Sequence, residues 1–158
     1  MGMSVALRPA TPDDELFLVE VYASTRLEEL DLTQWDQAQR DAFVRMQFNA
    51  QRNHYHVNFP ETEHQVIQFN GERVGRLYIA RLEQTIRILD ITILPASRNA
   101  GIGTLILTEI LKESEETAKP VQIYVESFNP SLRLFERLGF MKADASDFNF
   151  LMEWAYRA

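Results

Sequence analysis

The spacing of apolar residues along the chain alternates between a period of two, typical of strands, and a period near 3.6, typical of helices. The clearest strand signal is a hairpin, because Gln65–Phe69 and Val74–Ile79 flank Asn70-Gly71, a dipeptide that readily adopts the positive φ values of a tight turn. Ile86–Ile93 is apolar at both parities and is therefore predicted to be a central strand. The remaining predicted strands are Val5–Arg8, Val121–Val125, Phe140–Lys142 and Phe148–Trp154.

Four segments have the helical period, and one stretch between them has neither period. The predicted helices are Asp14–Leu27, Gln34–Asn53 with Thr33 as its cap, Ile102–Thr117, and a short helix capped by Asn129-Pro130 that runs through Leu138 to Gly139. In the first of these, the predicted apolar face consists of Leu16, Val19, Glu20, Ala23 and Leu27. The stretch His54–Pro60 is predicted to be irregular. The order strand, helix, strand in the second half predicts a right-handed parallel crossover.

The composition fits a single compact domain over residues 1–158. Of the 158 residues, 46% are hydrophobic and 25% are charged, which suits a sizeable core. The formal net charge of −7 argues against nonspecific binding to nucleic acid and is compatible with an amine-bearing partner. The absence of cysteine excludes disulfides, thiolate nucleophiles and cysteine-zinc sites. No segment has the pattern of a signal peptide or a membrane span, so we expect a cytoplasmic protein.

A glycine-containing segment between a predicted strand and a predicted helix is the most informative stretch for function. Arg98-Asn99-Ala100-Gly101-Ile102-Gly103-Thr104 opens the helix that begins at Ile102. The first N–H groups of a helix lack intrahelical partners and carry the positive end of the helix dipole, so glycines there let a phosphate approach closely. The segment lacks the Lys-Ser/Thr of nucleoside triphosphatase loops and the G-x-G-x-x-G of dinucleotide folds. A tight turn and close helix packing would also explain Gly101 and Gly103.

Two motifs resemble the GNAT superfamily of N-acetyltransferases. The string R-x-x-G-x-G at 98–103, with a strand before it and a helix after it, resembles the acetyl-CoA pyrophosphate loop of that family. About thirty residues later, Asn129–Phe140 resembles the N-P-x-x-x-x-[YF]-x-x-x-G-F segment of these enzymes, and the opening Leu7–Asp14 is similar to many of their N-termini. The resemblance implies an α/β (α+β) fold with a mixed, mostly antiparallel sheet of about six to seven strands. About four helices would flank this sheet, and its central strands would be splayed.

The resemblance also implies where acetyl-CoA, the expected cosubstrate, would bind: in the V between the two splayed strands. Backbone groups of Ile91 and Ile93 would bind the pantetheine arm, and the N–H near Ile93 would polarise the thioester carbonyl. Asn129 would contact the pantetheine, although a role as a helix cap alone is the alternative. Arg133 and Arg137 would reach the nucleotide phosphates or form surface salt bridges. The implied pyrophosphate cradle consists of Arg98, Asn99, Ala100, Gly101, Gly103 and Thr104.

The resemblance leaves the general acid open. Many members have a tyrosine where this chain has Phe135, which would line the cofactor site but has no proton to give to the departing thiolate. We expect water or a hydroxyl group, such as that of Tyr124, Ser127 or Ser131, to supply the proton, or the thiolate to leave without one. The alternative is a chain that binds the cofactor without efficient turnover.

The base is open as well. The position at which some members have a glutamate is Arg87 here, so the candidate bases are Asp90 and Glu126. The parity of Asp90 is opposite to that of Ile91, and a bulge would therefore decide which face Asp90 shows. A solvated or structurally paired carboxylate is the alternative role for both.

The acceptor is expected to bind beside the first two helices, in a pocket to which Tyr55, His56 and Tyr78 contribute. Loops carry specificity on such scaffolds, and the sequence identifies no particular acceptor. His54 and His56 are two residues apart, but no third ligand stands at a supporting spacing, so we expect no metal.

These patterns predict an N-acetyltransferase that transfers an acetyl group from acetyl-CoA to a primary amine, by direct attack in a ternary complex. The acceptor would be a small molecule or a peptide. The alternative function is a noncatalytic acyl-CoA-binding or acyl-CoA-sensing protein, because Phe135 replaces the usual tyrosine. A homodimer is compatible with the resemblance, and nothing in the sequence specifies an interface.

Overall fold

A seven-stranded mixed sheet forms the centre of the structure. The computed structural model describes residues 4–126, 129, 131–145 and 149–155, and the backbone alone at Glu126. The strands are β1 (Val5–Pro9), β2 (Thr62–Phe69), β3 (Glu72–Arg81), β4 (Ile86–Ile93), β5 (Val121–Glu126), β6 (Met141–Ala145) and β7 (Asn149–Trp154). Their order across the sheet is β1-β2-β3-β4-β5-β7-β6, and β4 with β5 is the parallel pair among antiparallel neighbours. The predicted mixed, mostly antiparallel sheet is thereby confirmed.

Five α-helices, within the residues that the structure describes, cover the two faces of this sheet. They are α1 (Glu15–Ser24), α2 (Leu27–Asp31), α3 (Gln37–Asn58), α4 (Ile102–Thr117) and α5 (Leu132–Arg137). One core cluster joins α1 and α3 to one face of the sheet, and a larger cluster joins α4 and α5 to the other. Because α4 connects the parallel strands β4 and β5, it is the predicted crossover helix.

The hairpin, the central strand and the crossover helix have the predicted form. Asn70 (φ 50°) and Gly71 (φ 86°) make the turn between β2 and β3 in the left-handed region. The bounds of β4 and of α4 are those predicted from the apolar pattern. These three elements are determined by local chemistry, namely turn residues and an apolar period.

The first predicted helix ends at Ser24, three residues before its predicted end, and its buried face differs from the predicted one; the short helix α2, which begins at Leu27, was not predicted. Ser24 Oγ and Thr25 Oγ1 each donate to the carbonyl three residues earlier (2.6 and 2.7 Å), and α1 ends where these side chains bond its last carbonyls. The predicted face is wrong, because Leu16 is 77% exposed and Leu27 is 47% exposed. The buried residues of α1 are Phe17, Leu18, Val21 and Tyr22. Since α1 is apolar almost all round, its spacing alone does not select a face.

The second long helix begins later and ends later than predicted. Asp36, not Thr33, is the N-cap, since its side chain and that of the residue three positions later each accept from the other's backbone N–H at 2.9 Å. Residues 54–58 continue the helix, although they were predicted to be irregular. This extension brings the ring of Tyr55 to 4.9 Å from that of Tyr78, so packing on the sheet stabilises the last turn.

The short helix α5 begins after its predicted cap. Ser131 is the N-cap residue, and Asn129 Oδ1 accepts from Ser131 N at 2.8 Å, which orders the turn before the helix. Gly139 follows the helix with φ 101°, as expected for a residue that ends it in the left-handed region.

A buried carboxylate ties the start of the chain to the sheet. The side chain of Asp14 is 3% exposed and accepts from Arg8 at 2.7 and 2.8 Å, from Thr11 N at 2.9 Å and from Arg73 at 3.3 Å. The hydrogen bonds from Arg8 hold the pKa of Asp14 well below its usual range, although burial acts in the opposite direction. Because the folded pKa is depressed, the ionised carboxylate stabilises the fold above the unfolded pKa of about 4, and this contribution is lost as the pH falls below it.

We expect Asp14→Asn to lower the free energy of unfolding by about 1.5–3 kcal/mol at pH 7, because charge-assisted hydrogen bonds are lost. Urea unfolding followed by circular dichroism at pH 7 and at pH 3 measures this. The difference from the wild type should narrow at pH 3. The matched control is Asp13→Asn at the exposed neighbouring position. Equal losses in the two variants, or a difference independent of pH, would contradict this account.

Candidate functional site

The two central strands separate after a short paired segment. β4 and β5 pair only through Ile86, Arg87 and Ile88 with Val121, Gln122 and Ile123. From Leu89 onward, β4 keeps β3 as its neighbour and has no partner in β5. The predicted splay of the central strands is therefore present, and it leaves one edge of β4 open to a ligand.

Backbone groups of β4 point into this gap. Leu94 N donates to Val74 O on the β3 side at 2.8 Å. Since successive residues of a strand direct their backbone groups to opposite sides, those of Thr92 also face β3, whereas those of Ile91 and Ile93 face the gap. Arg98 Nε donates to Ile93 O at 3.1 Å, which draws this arginine over the end of the strand. The gap is thus lined by main-chain hydrogen-bonding groups at the two positions singled out from the sequence.

A bulge at Leu89 changes the direction of the side chains in β4. Tyr78 pairs with Asp90 and Ile79 pairs with Ile88, so Leu89 has no opposite residue in β3. Tyr55 Oη donates to Leu89 O at 3.2 Å, which satisfies a carbonyl at the irregularity. Because of the bulge, Asp90 lies on the face that α1 and α3 cover, among polar partners.

Asp90 belongs to a buried charge network. Its Oδ2 lies 2.7 Å from Nε of Arg76, and its Oδ1 accepts from Thr92 Oγ1 at 3.0 Å. Arg76, which is 1% exposed, also donates to Gln51 Oε1 at 2.6 Å, while its Nη1 is buried without a partner. A buried guanidinium requires a counter-charge, so Asp90 neutralises Arg76 at the floor of the site.

The loop between β4 and α4 has the geometry of an anion site. Asn99 (φ 64°) and Gly101 (φ 79°) both adopt left-handed backbone conformations, and Gly101 is the N-cap of α4. A left-handed residue followed by a right-handed helical one brings consecutive N–H groups to one concave side. These groups join the unpaired N–H groups of the first helical turn, so the loop has a backbone conformation that is compatible with the predicted cradle.

The surroundings of Gly103 distinguish two explanations for a glycine at this position: close approach of a phosphate, or tight packing between helices. A Cβ at this position would lie 3.6 Å from Leu134 Cδ2, an ordinary van der Waals distance, so the packing of α4 on α5 does not require a glycine. A glycine within a helix costs about 1 kcal/mol relative to alanine. The missing Cβ thus fits a ligand that approaches the backbone closely, as a diphosphate would.

One open cleft, with a volume of about 1790 Å³, collects most of the predicted site residues. Of the residues predicted from the sequence, the cleft is lined by Tyr55, Asp90, Ile91, Ile93, Arg98, Asn99, Gly101, Gly103, Thr104, Tyr124, Asn129, Ser131, Arg133, Phe135 and Arg137. Ala100 is exposed on the loop, His56 is exposed on α3, and neither lines the cleft. The side chain of Glu126, and Ser127 as a whole, lie outside the described residues.

Tyr78 lies in the core rather than in the cleft lining. It is 2% exposed and stacks on His64 with ring centroids 3.7 Å apart. Burial raises the pKa of Tyr78 to about 12, and burial together with the charge of Arg76 lowers the pKa of His64 to about 3. Both rings are therefore neutral at physiological pH.

Neither a metal centre nor a membrane helix is found in the part of the chain that the structure describes. That part contains no group of three or more His, Asp or Glu side chains placed to hold a metal ion. It also contains no helix that is both long enough and apolar enough to cross a membrane.

Sequence reasoning missed the network around Arg76. A signal was present, because Arg76 interrupts the otherwise apolar segment 74–80 of a strand predicted to be half-buried. A charged residue in such a segment needs a partner nearby. Its partners Asp90 and Gln51 come from distant parts of the chain, so the sequence alone did not identify them.

The model of the acetyltransferase (GNAT) family matches residues 24–140 of this chain. Solved structures share the fold: PaiA N-acetyltransferase from Thermoplasma acidophilum, in complex with coenzyme A, has a TM-score of 0.72 at 17% identity, with 97% of this chain and 99% of that chain covered. Naa50 from Arabidopsis thaliana, bound to the bisubstrate analogue CoA-Ac-MVNAL, has a TM-score of 0.63 at 13% identity over 97% and 99% of the two chains.

A third solved structure is a GNAT family acetyltransferase from Elizabethkingia anophelis with acetyl-CoA bound. Its TM-score is 0.62 at 14% identity, with 96% of this chain and 98% of that chain covered. At these identities, the structures establish a shared fold. No curated protein sequence matches the chain significantly.

We expect Gly103→Ala to separate stability from ligand binding. The free energy of unfolding should stay unchanged or rise by up to about 1 kcal/mol, since the Cβ has room and alanine favours the helix. Affinity for coenzyme A, measured by titration calorimetry, should fall at least about tenfold, because the methyl group keeps the diphosphate from the N–H groups.

The control for this variant is Gly71→Ala in the β2–β3 turn. There φ is 86° with open space around the position, so alanine is strained and stability should fall by about 1–2 kcal/mol. Affinity for coenzyme A should remain that of the wild type. Unchanged affinity in Gly103→Ala would remove the main reason for placing the diphosphate at this loop.

Proposed function

Because the chain belongs to the GNAT acetyltransferase family, we propose that it transfers an acetyl group from acetyl-CoA to the primary amine of a small-molecule or peptide acceptor, by direct attack in a ternary complex. As a member of this family, the chain is an acyltransferase. The observation that carries the finer proposal is the gap between β4 and β5, which has main-chain groups without a strand partner along one edge and the loop at 98–104 at its end. A linear thioester with a diphosphate at one end fits this arrangement.

Main-chain groups would hold the cosubstrate. Ile91 and the N–H of Ile93 would bond the pantetheine arm in the manner of an added strand, and Asn129 would contact it from the opposite wall. The N–H groups at Gly101 and Gly103 would bind the diphosphate, and Thr104 Oγ1 would add a further bond. When bound, acetyl-CoA supplies the activated acetyl group.

Transition-state stabilisation would come from the same strand. Negative charge develops on the thioester oxygen as the amine attacks, and a fixed N–H donor near Ile93 would stabilise it. The amine must be neutral to attack. Asp90 and Glu126 are the proposed carboxylates for taking its proton, and an amine reaching Asp90 would compete with Arg76 and Thr92 for the carboxylate oxygens.

Protonation of the departing thiolate is assigned to a hydroxyl or to water, because Phe135 has no proton to give. Phe135 is 2% exposed and packs edge-on against Phe140 with ring centroids 5.5 Å apart. Tyr124 and Ser131 line the same cleft and carry hydroxyl groups. A thiol has a pKa near 8.5, so the thiolate is also a tolerable leaving group without full proton transfer.

Titration calorimetry with acetyl-CoA, followed by a thiol-release assay over an amine panel, tests the proposal. The panel contains amino acids, peptides, polyamines and aminoglycosides. We expect binding with one site per chain and release of coenzyme A that depends on at least one amine. Binding without transfer to any amine would favour the noncatalytic acyl-CoA-binding alternative, and the absence of binding would overturn both functions.

We expect Phe135→Tyr to change kcat by less than about threefold with the best acceptor, since another proton source serves the wild type. General acid catalysis typically contributes about 10²–10⁴ in rate. A rise of that size in the variant would show that the wild type lacks an acid and that this step limits turnover. The matched control is Phe69→Tyr, which lies on β2 and does not line the cleft.

A further inference from the structure

The arginines that the structure describes fall into two groups according to whether a carboxylate neutralises them. Those with a carboxylate oxygen within 4 Å are Arg8, Arg26, Arg40, Arg45, Arg52, Arg73, Arg76 and Arg81. Among the residues that the structure describes, those without one are Arg87, Arg98, Arg133 and Arg137. All four line the cleft, so the unneutralised guanidinium groups are concentrated where a ligand binds.

Three of these four lie at the end of the cleft assigned to coenzyme A, and one does not. Arg98 belongs to the loop that precedes α4, and Arg133 and Arg137 lie on α5 beside it. Arg87 lies six residues before Ile93 on β4, roughly 20 Å along the strand from the start of that loop. It is thus at the opposite end of the cleft from the loop, the end that the proposed function leaves to the acceptor.

The guanidinium of Arg87 is held in place without being neutralised. Its Cζ lies 5.0 Å from the ring centroid of Tyr124 and 6.0 Å from that of Phe59. Its Nη2 donates to Gln122 Oε1 at 2.7 Å, and its Nε is buried without a partner. Of five N–H donors, one is engaged, so most of the hydrogen-bonding capacity of this group is unused.

The neutral partner is itself fixed. Gln122 Nε2 donates to Glu153 Oε2 at 2.7 Å, which orients the amide so that its oxygen faces Arg87. These three residues are register neighbours on β4, β5 and β7. In this row of three residues, the carboxylate of Glu153 is therefore separated from the guanidinium of Arg87 by the amide of Gln122 on the intervening strand.

We propose that Arg87 binds a carboxylate of the acceptor, and that the acceptors of this enzyme are amines that also bear a carboxylate, such as amino acids. This inference rests on the proposed acetyltransferase function. Because Arg87 is already stacked and tethered, it loses little further conformational entropy when it binds a ligand. Its planar guanidinium matches a carboxylate through two hydrogen bonds.

Charge and number argue against other acceptor classes at this end. A polyamine would place a cation against an unneutralised guanidinium, which is repulsive. A phosphate carries more charge than one arginine neutralises, and the two remaining arginines that line the cleft, Arg26 and Arg76, have carboxylate partners in Glu29 and Asp90. A single carboxylate matches the single unneutralised arginine.

The wild-type protein provides the first test. Standard amino acids are compared with the amines formed by their decarboxylation and with their α-amides, using thiol release for kcat/KM. We expect kcat/KM to be about 10- to 100-fold higher for the best amino acid than for its amine or amide, the range expected of a charge-assisted hydrogen-bonded pair. Equal or better transfer to the amines overturns the inference, and so does preferential transfer to an amine that bears a phosphate.

Variants test whether the preference for a carboxylate depends on Arg87. Arg87→Gln should raise KM for the amino acid about 10- to 100-fold and leave the value for the matched amine within about threefold. The double variant Gln122→Glu, Glu153→Gln exchanges the two side chains, so that a carboxylate faces Arg87 while composition and charge stay the same. This double variant should raise KM for the amino acid as Arg87→Gln does. The control Arg40→Gln removes a surface arginine that pairs with Asp31 outside the cleft, and its kinetics should be those of the wild type.

Binding without turnover gives an independent readout. Amino acid is titrated by calorimetry into the protein saturated with coenzyme A, a complex that cannot react. The wild type should bind the amino acid more tightly than its decarboxylated amine, and Arg87→Gln should abolish this preference. If Arg87→Gln does not fold, as judged by circular dichroism, the wild-type comparison and the exchange variant decide.

The outcomes separate this inference from the function on which it rests. Acetyl-CoA binding with no transfer to any amine refutes the proposed function. Transfer to amines without a preference for the carboxylate refutes the role of Arg87 alone and leaves the acetyltransferase proposal intact.

Discussion

The separation of β4 from β5 after three residue pairs is the constraint on which the rest of the structure depends. Strands in the middle of a sheet normally satisfy their main-chain groups on both sides, and an open edge inside a protein is costly unless something occupies it. Here the open edge continues into the loop before α4, so main-chain donors are available at Ile91 and Ile93 and again in the first turn of the helix. A single ligand that is extended at one end and anionic at the other would satisfy all of them.

The bulge at Leu89 allows a charged residue, Asp90, to lie at the floor of the cleft beside this opening. Without it, Asp90 would point toward the apolar core that α4 covers, where an isolated carboxylate would be severely destabilising. With it, Asp90 meets Arg76 on the other face, and Tyr55 bonds the carbonyl at the irregularity. The last turn of α3, which supplies Tyr55, is thus required for the site as well as for the packing of that helix.

Charges are distributed along the cleft according to the same geometry. The described arginines that lack a carboxylate partner lie at its two ends, and the deeply buried Arg76 near its middle is neutralised. At one end the unneutralised group of arginines lies at the loop proposed to bind the diphosphate. At the other, Arg87 lies between two aromatic rings and an amide that Glu153 orients. An acidic protein can therefore still offer cationic binding positions at both ends of one cleft.

The sequence by itself determined the elements whose chemistry is local. Asn70-Gly71 adopts positive φ without help from distant residues, the apolar period over 102–117 defines α4, and Gly101 permits the left-handed conformation that shapes the loop before it. The motif at 98–103 and the Asn129–Phe140 segment indicated the family for the same reason, because short motifs keep their spacing within one stretch of chain. These features needed no knowledge of long-range contacts.

Only the tertiary structure decided which faces and which partners are used. The apolar period of α1 is compatible with several buried faces, and packing on the sheet selected the one that contains Tyr22. Helix α3 extends past Asn53 because Tyr55 finds Tyr78 and Leu89 on strands far away in the chain. The pairing of Arg76 with Asp90, and the row from Arg87 through Gln122 to Glu153, depend on strand register and on a bulge. Register is set by contacts between segments far apart in the chain, and no local pattern of residues encodes it.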